Sequence, residues 1–336
     1  MDSSIDLTIV IVSFNTKEIT KRCLTYIEQY SAGISYEIIV VDNASSDGSA
    51  DMIRREFPRI RLICLDTNKG FAAGNNEGIT RAAGRYILLL NSDAYLTEGV
   101  LKSTTRFMDE HPDIGILGCK LTNPDGTMQP SARMLPGLLN KIFVMTGLSA
   151  RYPASRIFGR VDFSWWDHSH PREVGWVVGA YFLIRRKTLE EIGLLDERYF
   201  LYFEEIDYCR TAREKLWNVV FYPHAQVIHL GGQSAAHSGS QVSSQGTQLV
   251  SQRIRSEFRY YRKWHGILRV VLSAVIEISW NGLVFLKNMP DRSPNARHKR
   301  QDTLITIKLI LSALVRDRFG KGQPYGPVQQ ASASHR

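Results

Sequence analysis

The sequence predicts an α/β protein built on a doubly wound, mostly parallel sheet, with a basic helical extension at its C-terminal end. Three observations predict it. Up to about Leu121, short β-rich runs alternate with helix-length stretches, the pattern of strands joined by crossover helices. The chain of 336 residues is 43% hydrophobic, 22% charged and 10% aromatic. It is therefore long enough to bury a real core, and neither collagen-like, wholly disordered nor polytopic in a membrane. Residues 251–336 carry 16 Lys and Arg against 5 Asp and Glu, whereas residues 1–250 carry 26 against 28. The net charge of +9 thus belongs to the tail.

Taken in order, the strand-like runs are residues 7–13, 36–42, 61–65, 86–90 and 114–119. Asn15 with Glu18 three residues later has the spacing of a capping box opening the first helix, and Ser46 or Asp47 suits the cap of the second. Asn123-Pro124-Asp125-Gly126 reads as a turn. Residues 138–158 are ambiguous between helix and strand, and 173–185 read as a buried strand. After these come a short helix at 187–193, a longer one at 204–216 and a strand or hairpin at 218–229. Residues 233–248, dominated by Ser, Gln, Gly and Ala, are too polar to pack and read as a mobile loop. The composition shifts near residue 250, which suggests a main domain, 1–250, expected to carry any active site, and an extension, 251–336. No internal repeat occurs.

The extension carries apolar runs at 267–275 and 304–315, interrupted by Arg269, Glu277 and Lys308 and joined by a Pro- and Arg-rich stretch, 289–300. Each run falls short of the ~20 apolar residues a spanning helix needs. Helices of this kind lie in the headgroup layer of an anionic membrane with their Arg and Lys reaching up, or they pack on the body with a solvated basic face. Because the basic residues are not spread over the folded part, nucleic acid is not the expected partner. Cys23, Cys64, Cys119 and Cys209 are scattered, without a C-x-x-C pair, which argues against a disulfide framework and a cysteine zinc cluster. The chain enters its first strand-like run without the features of a secretory signal. The expected location is cytoplasmic, either free or peripheral on the cytoplasmic face of the inner membrane.

Ligands of open α/β sheets collect beyond the carboxyl ends of the strands. The first such turn, Ser13-Phe14-Asn15-Thr16, has no glycine, and neither G-x-G-x-x-G in that turn nor G-x-x-x-x-G-K-[ST] anywhere is present. A dinucleotide dehydrogenase and a P-loop NTPase are therefore not supported. Asp42 closes the second strand in VVDNASSDGS, where a carboxylate can accept hydrogen bonds from a base or ribose; the same sequence also suits a turn and helix cap. The loop NKGFAAGNNEGI brings Lys69, two early glycines and paired amides, groups able to approach a nucleotide and its phosphates closely. In LLLNSDA, apolar residues push Asp93 to the sheet edge, the partly open acidic site that Mg²⁺ or Mn²⁺ shares with phosphate oxygens; a plain turn start is the alternative. Glu204, Glu205 and Asp207 crowd the start of a helix beside Tyr199, Phe200, Tyr202 and Phe203. The helix dipole favours acids there, but crowding among aromatics raises proton affinity toward that of a general base. His229 ends a strand before Gly231-Gly232 and is a structural histidine or a metal or phosphate contact. Trp165, Trp166 and Trp176 offer flat faces to a sugar or fill core.

Together and in order, the segments TIVIVSFN, VVDNASSDGS, NKGFAAGNNEGI, YILLLNSDA, GWVVGAYFLIRR, GLLDERYFLYFEEIDYCRTAREKLW and VIHLGGQS resemble the family 2 glycosyltransferases of the GT-A fold, particularly the rhamnosyltransferase-like branch. The resemblance covers roughly residues 7–235. It implies a Rossmann-like sheet, a nucleotide-sugar donor carrying uridine or thymidine, a divalent cation (Mg²⁺ or Mn²⁺), and transfer with inversion to a saccharide or lipid-linked acceptor. It carries pyrimidine nucleoside recognition onto Asp42, metal–diphosphate binding onto Asp93 with His229 as a further metal ligand, and the catalytic base onto Glu205. The same segments place the donor around Ser13, Asn15, Asn68, Lys69, Gly70, Asn75 and Asn91, and the acceptor or sugar around Trp176, Gly179 and Ala180. Two departures stand out. Asn91-Ser92-Asp93 replaces an acid-x-acid metal motif, so one carboxylate holds the cation. Glu204-Glu205 replaces Glu-Asp, which leaves Glu204 and Asp207 as alternative bases. A module of the same fold that binds nucleotide without turnover is the competing reading.

Overall fold

The computed structural model describes residues 5–231 and 242–322. Its first half runs β1 (Leu7–Ser13), α1 (Lys17–Tyr30), β2 (Tyr36–Asp42), α2 (Ser49–Glu56), β3 (Arg61–Cys64), α3 (Phe71–Ile79), β4 (Tyr86–Leu90), β5 (Ala94–Leu96) and α4 (Val100–Glu110). Next come β6 (Ile114–Thr122), β7 (Met128–Gln129), β8 (Ala132–Arg133), α5 (Leu138–Met145), α6 (Leu148–Arg151), β9 (Arg172–Glu173), β10 (Trp176–Val177) and β11 (Tyr181–Arg185). The chain continues through α7 (Arg186–Ile192), α8 (Glu204–Glu214), β12 (Asn218–His229), α9 (Val242–Lys287) and α10 (Pro294–Arg316).

The main sheet has the order β3-β2-β1-β4-β11-β6-β12-β5, with β7 beside β6 and β9 beside β12. Strands β1, β2, β3 and β4 pair in parallel, as do β6 and β12, whereas β11 runs antiparallel to both neighbours. The near-continuous apolar runs of β1, β2 and β4 bury both faces, and β3 closes the edge with exposed and half-buried residues. One core holds Leu7, Ile9 and Ile11 with Leu24 and Ile27 of α1; the other holds Val10, Ile87 and Leu89 with Phe182 and Phe221. A sheet covered on both sides is why the alternation of strand and helix was readable.

Four local expectations change. The capping box does not form. Asn15 sits in the left-handed region (φ 52) and its Oδ1 accepts from Ser46 N at 2.8 Å, while Asp47 Oδ2 accepts from Lys17 N at 2.8 Å. Because β1 and β2 are neighbours, the loop after each supplies the hydrogen bond the other lacks. Asp47 also accepts from Ser49 N at 3.0 Å, serving the start of α2. The expected strand at 173–185 is three pieces, because a Cβ at Gly175 would meet Leu135 N at 2.3 Å and Val177 crosses to pair with Ala132 of β8. The ambiguous stretch at 138–158 contains the two short helices α5 and α6. The expected loop at 233–248 lies partly outside the described residues, and from Val242 onward the chain is helical.

The four cysteines are free, three of them buried. Helix α9 breaks its helical geometry at Gly266 (φ 77, ψ −179). Its first arm buries Ile254, Phe258, Tyr260 and Tyr261 against Tyr199 and Ile206, and Val270 and Ala274 of the second arm meet Ile310 and Ala313 of α10 in the same cluster. The run at 267–275 lies in α9 and the run at 304–315 in α10, and the expectation that neither is long enough to span changes for the first: residues Gln248–Lys287 form a helix long and apolar enough to cross a membrane, by length and composition only.

Candidate active site

At the carboxyl ends of β1 and β2, Ser13 is turned inward. Its hydroxyl shares hydrogen bonds with Thr16 (3.2 Å) and Thr20 (2.9 Å), and its carbonyl accepts from Asn43 N at 2.8 Å. Ser13 is buried, and the partners of its hydroxyl lie within the fold. Asp42 is different. One oxygen accepts from Ser45 N at 3.1 Å, and the other, Oδ1, is buried without a hydrogen-bond partner. A native fold rarely leaves such an acceptor unused unless something else fills it.

Asn43, which the sequence reading passed over, ties this strand end to the next loop. Its Nδ2 donates to Asn68 Oδ1 (2.8 Å) and Gly70 O (3.2 Å), and its Oδ1 accepts from Lys69 N (2.9 Å). The only signal was adjacency to Asp42. Asn68 turns back to accept from Gly70 N at 2.9 Å. At Gly70 (φ 86, ψ −178) a Cβ would fall 2.4 Å from the carbonyl oxygen of Phe200, which itself accepts from Phe71 N at 2.8 Å. The loop is thereby held against the segment that leads into Glu204 and Glu205. Lys69 pairs with Glu77 at 3.0 Å and stays partly exposed. Asn75 is buried, and its Nδ2 donates to Phe71 O at 2.9 Å.

Beyond β4, the backbone N–H of Asn91 donates to Ala180 O at 3.2 Å. This fixes the end of β4 to residues 179–180. Asp93 is buried, and its Oδ1 lies 3.4 Å from His229 Nε2; Asn91 Nδ2 lies 3.5 Å from the same nitrogen. Strand pairing of His229 with Ala94 brings the two distant segments together. One carboxylate and one imidazole fit Mg²⁺ or Mn²⁺ if phosphate oxygens and water complete the shell. Among the described residues no group of three or more His, Cys, Asp or Glu gathers around such a site.

Tyr202 (φ 67) and Phe203 (φ 70) are consecutive left-handed residues immediately before α8. Such conformations cost about 1–3 kcal/mol each and persist only where the surroundings enforce them. The turn they make puts Glu204 and Glu205 on the first turn of α8. Burial, chiefly, raises the Glu205 pKa to about 7, with Arg133 opposing the rise. Burial and the neighbouring Glu205 hold Glu204 well above the usual range. Both Oε2 atoms lack a hydrogen-bond partner. Asp207, by contrast, accepts from Lys263 Nζ (2.6 Å), Trp264 Nε1 (2.7 Å) and Tyr199 OH (3.3 Å). Gly179 stands between the strand end and this helix: a Cβ there would lie 3.9 Å from Glu205 Cβ and 3.8 Å from the Phe71 ring. Ala180 is fully buried.

Glu205 opens into a cavity of ≈ 520 Å³ whose lining includes Arg133, Trp176, Tyr202, Phe203, Arg253 and Glu277, a volume within the usual range for small-molecule sites. Trp176 is fixed by a hydrogen bond to Met134 O at 3.0 Å, and Arg133 lies over its ring at 5.5 Å. Trp165 and Trp166 stack with Arg172 elsewhere. The far wall comes from the tail. Lys141 of α5 bonds Glu257, Glu277 and Ser273 of α9, and Arg253 bonds the same two glutamates at 3.1 and 2.7 Å. Sequence offered no signal for this cluster, because Lys141 and Glu277 lie far apart along the chain.

With that geometry in view, a family model described as "Glycosyl transferase family 2" matches residues 8–193. The N-acetylglucosaminyl-diphospho-decaprenol L-rhamnosyltransferase of Mycobacterium tuberculosis is 26% identical over 223 residues, covering 61% of this chain and 71% of its own. The low-salt glycan biosynthesis hexosyltransferase Agl10 of Haloferax volcanii is 27% identical over 238 residues, 67% of each chain. Among solved structures, the mannosyltransferase PcManGT of Pyrobaculum calidifontis, in complex with GDP-Man and Mn²⁺, matches with a TM-score of 0.52 at 15% identity, covering 94% of this chain and 90% of that one. GalNAc-T7 with UDP, GalNAc and Mn²⁺ matches at 0.55 and 12% identity, covering 96% and 59%. At these identities the structural likenesses establish the fold, that of the GT-A glycosyltransferases.

Proposed function

The chain belongs to glycosyl transferase family 2, and on that premise we propose that it transfers L-rhamnose from a dTDP- or UDP-sugar, with inversion, to a hydroxyl of a lipid-linked saccharide. The product serves cell-surface polysaccharide synthesis. The observation that carries the reading is Glu205: a carboxylate whose pKa burial lifts to about 7, whose buried Oε2 has no hydrogen-bond partner, and which lines a cavity large enough for a sugar. A base is most effective when its pKa lies near the working pH.

Asp42 Oδ1 accepts a hydrogen bond from the pyrimidine or ribose, and the loop 68–70 lies along the diphosphate. Asp93 and His229 hold the divalent cation, which, when bound, offsets the charge growing on the departing nucleoside diphosphate. Glu205 takes the proton of the acceptor hydroxyl as that oxygen attacks the sugar from the face opposite the diphosphate. Trp176, beside Glu205 in the cavity lining, offers its ring to the acceptor sugar, and Gly179 leaves room for it. Asp207, already held by three donors, is not the base; Glu204 is more deeply buried, and burial and the neighbouring Glu205 raise its own proton affinity.

The tail seats the enzyme on the cytoplasmic face of an anionic membrane. Leu268, Leu272, Val275, Leu283 and Leu286 of α9 and Leu304, Ile305, Leu311 and Val315 of α10 are exposed, and only 22% of the most apolar stretch of α9 is buried. Lys287, Arg292, Arg297 and Lys299 flank this surface, placing cations where anionic headgroups would lie.

The test is a panel of dTDP- and UDP-sugars with Mg²⁺ or Mn²⁺, read by thermal shift and by transfer to a lipid-linked saccharide. Asp93→Ala is expected to remove the metal-dependent stabilisation by donor. Glu205→Gln is expected to keep that stabilisation and lose transfer. Stabilisation by donor with no transfer in the wild type would favour the non-catalytic nucleotide-binding module.

A further inference from the structure

His229 can serve a cation only in one of its two neutral forms. If the proton sits on Nε2, that nitrogen donates toward Asp93 Oδ1, 3.4 Å away, and both ligands are consumed by each other. If it sits on Nδ1, Nε2 presents a lone pair beside the carboxylate. The partner of Nδ1 decides between them, and that partner is the side chain of Gln129, with Oε1 at 2.8 Å.

A directed chain of hydrogen bonds fixes which end of the Gln129 amide faces the ring. It starts at Asp125, whose carboxylate only accepts and whose pKa Thr127 holds below the ordinary value. Thr127 spends its hydroxyl proton on Asp125 Oδ1 at 2.6 Å, so its oxygen must accept from Asn123 Nδ2 at 2.8 Å. Asn123 therefore turns Oδ1 toward Gln129, whose Nε2 donates to it at 2.6 Å. The same Nε2 donates to the backbone carbonyl of His229 at 2.7 Å, an independent fix on the amide. Gln129 Oε1 is left facing Nδ1, which must donate. The backbone holds the chain in register: Gly126 N donates to Asn123 O at 2.9 Å, and Gln129 pairs with Leu121 across β6 and β7.

We propose that Gln129, backed by the turn at residues 123–127, is a positioning residue that locks neutral His229 in its Nδ1–H form and aims the Nε2 lone pair, with Asp93, at the divalent cation. The inference rests on the metal-assisted transfer proposed above. It gives this chain a substitute for the acid that Asn91 replaces: an oriented imidazole in place of a second carboxylate. Partners of this kind, behind a metal ligand, set its orientation and basicity.

The test uses the full chain labelled with ¹⁵N-histidine, free of metal and donor, at about pH 8.5 so that an ordinary histidine is neutral. His229→Ala assigns the resonances. The expected wild-type spectrum shows a protonated Nδ1 and an unprotonated Nε2 at His229. Gln129→Leu moves the population toward Nε2–H, Thr127→Val does so in part, and Gln129→Glu, which keeps an acceptor opposite Nδ1, retains the wild-type form. Mn²⁺ affinity in the presence of UDP, read by the paramagnetic signal of the free ion, falls about 10-fold or more in Gln129→Leu. A wild-type ring protonated at Nε2, or one whose tautomer ignores both Gln129→Leu and Thr127→Val, overturns the proposal. Thr127→Val serves alone if Gln129→Leu does not fold. Because the tautomer is read without donor, a locked ring in a protein that transfers no sugar refutes the functional reading and leaves the lock standing.

Discussion

Lys263 Nζ lies 2.6 Å from Asp207 Oδ2, so a residue of α9 holds one of the three carboxylates at the start of α8. Trp264 and Tyr199 occupy its other oxygen. The tail thereby separates two roles that the crowded motif left mixed: Asp207 anchors α9, and Glu205 faces the cavity. Asp207→Ala, which strands Lys263 and Trp264 without their acceptor, is expected to lower stability by ~3 kcal/mol. Glu205→Gln is expected to leave the denaturation midpoint nearly unchanged or raised, and to reduce turnover by ~10²–10⁴-fold. Denaturant titration and single-turnover transfer measure the two. Near-normal turnover in Glu205→Gln would remove it as the base.

A pH profile follows from the raised Glu205 pKa. The base acts as the carboxylate, so kcat/KM rises with pH through about 7 and levels off above it. Stability runs the opposite way. The folded state holds the proton more tightly than the unfolded chain, so this contribution is full below the ordinary value of 4.5 and is lost as pH rises through about 7. The loss is on the order of 3 kcal/mol at most. Urea titrations across that window are expected to flatten in a Glu204→Gln, Glu205→Gln double variant; an unchanged slope would contradict the burial of the pair.

Gly70→Ala tests the joint between the donor loop and the base. The residue holds a conformation that essentially only glycine adopts, and the added Cβ would press on the Phe200 carbonyl at 2.4 Å. The expected cost is about 1–3 kcal/mol, with KM for donor raised because the loop and the segment before Glu204 move apart. Wild-type donor affinity in this variant would show that the loop does not shape the donor site.

The outward face of α9 makes a separate prediction. Leu272→Asp with Val275→Asp changes two exposed positions, so thermal stability is expected to stay within about 1 kcal/mol of wild type. Flotation with vesicles containing anionic lipid is expected to fall sharply, with transfer to a soluble acceptor analogue preserved. Equal flotation of the variant and the wild type would count against the membrane seat.

Much of the sheet was readable because its signal is local. Runs such as residues 7–13 and 86–90 are apolar on both faces, and turn-forming residues follow them, so strand ends could be placed to within a residue or two and Asp42 and Asp93 located at the sheet edge. Helix α8 was readable for the same reason. The strand expected at 173–185 failed because its course is set by Leu135 and Ala132, residues of another segment. The capping box failed likewise: the spacing of Asn15 and Glu18 was correct, but Ser45 Oγ accepts from Asn15 N and Ser46 N donates to Asn15 Oδ1.

By itself the sequence determined the order of elements, the acidic and glycine-bearing turns at the strand ends, and the concentration of positive charge in the tail, since each depends on residues close together along the chain. Only the tertiary structure decided which carboxylate is free, which nitrogen of His229 faces Asp93, and that α9 walls the cavity. Those outcomes depend on contacts between segments far apart along the chain, such as Lys263 with Asp207, Gln129 with His229 and Lys141 with Glu277. No local pattern encodes such contacts, because the partner is fixed by packing and not by spacing.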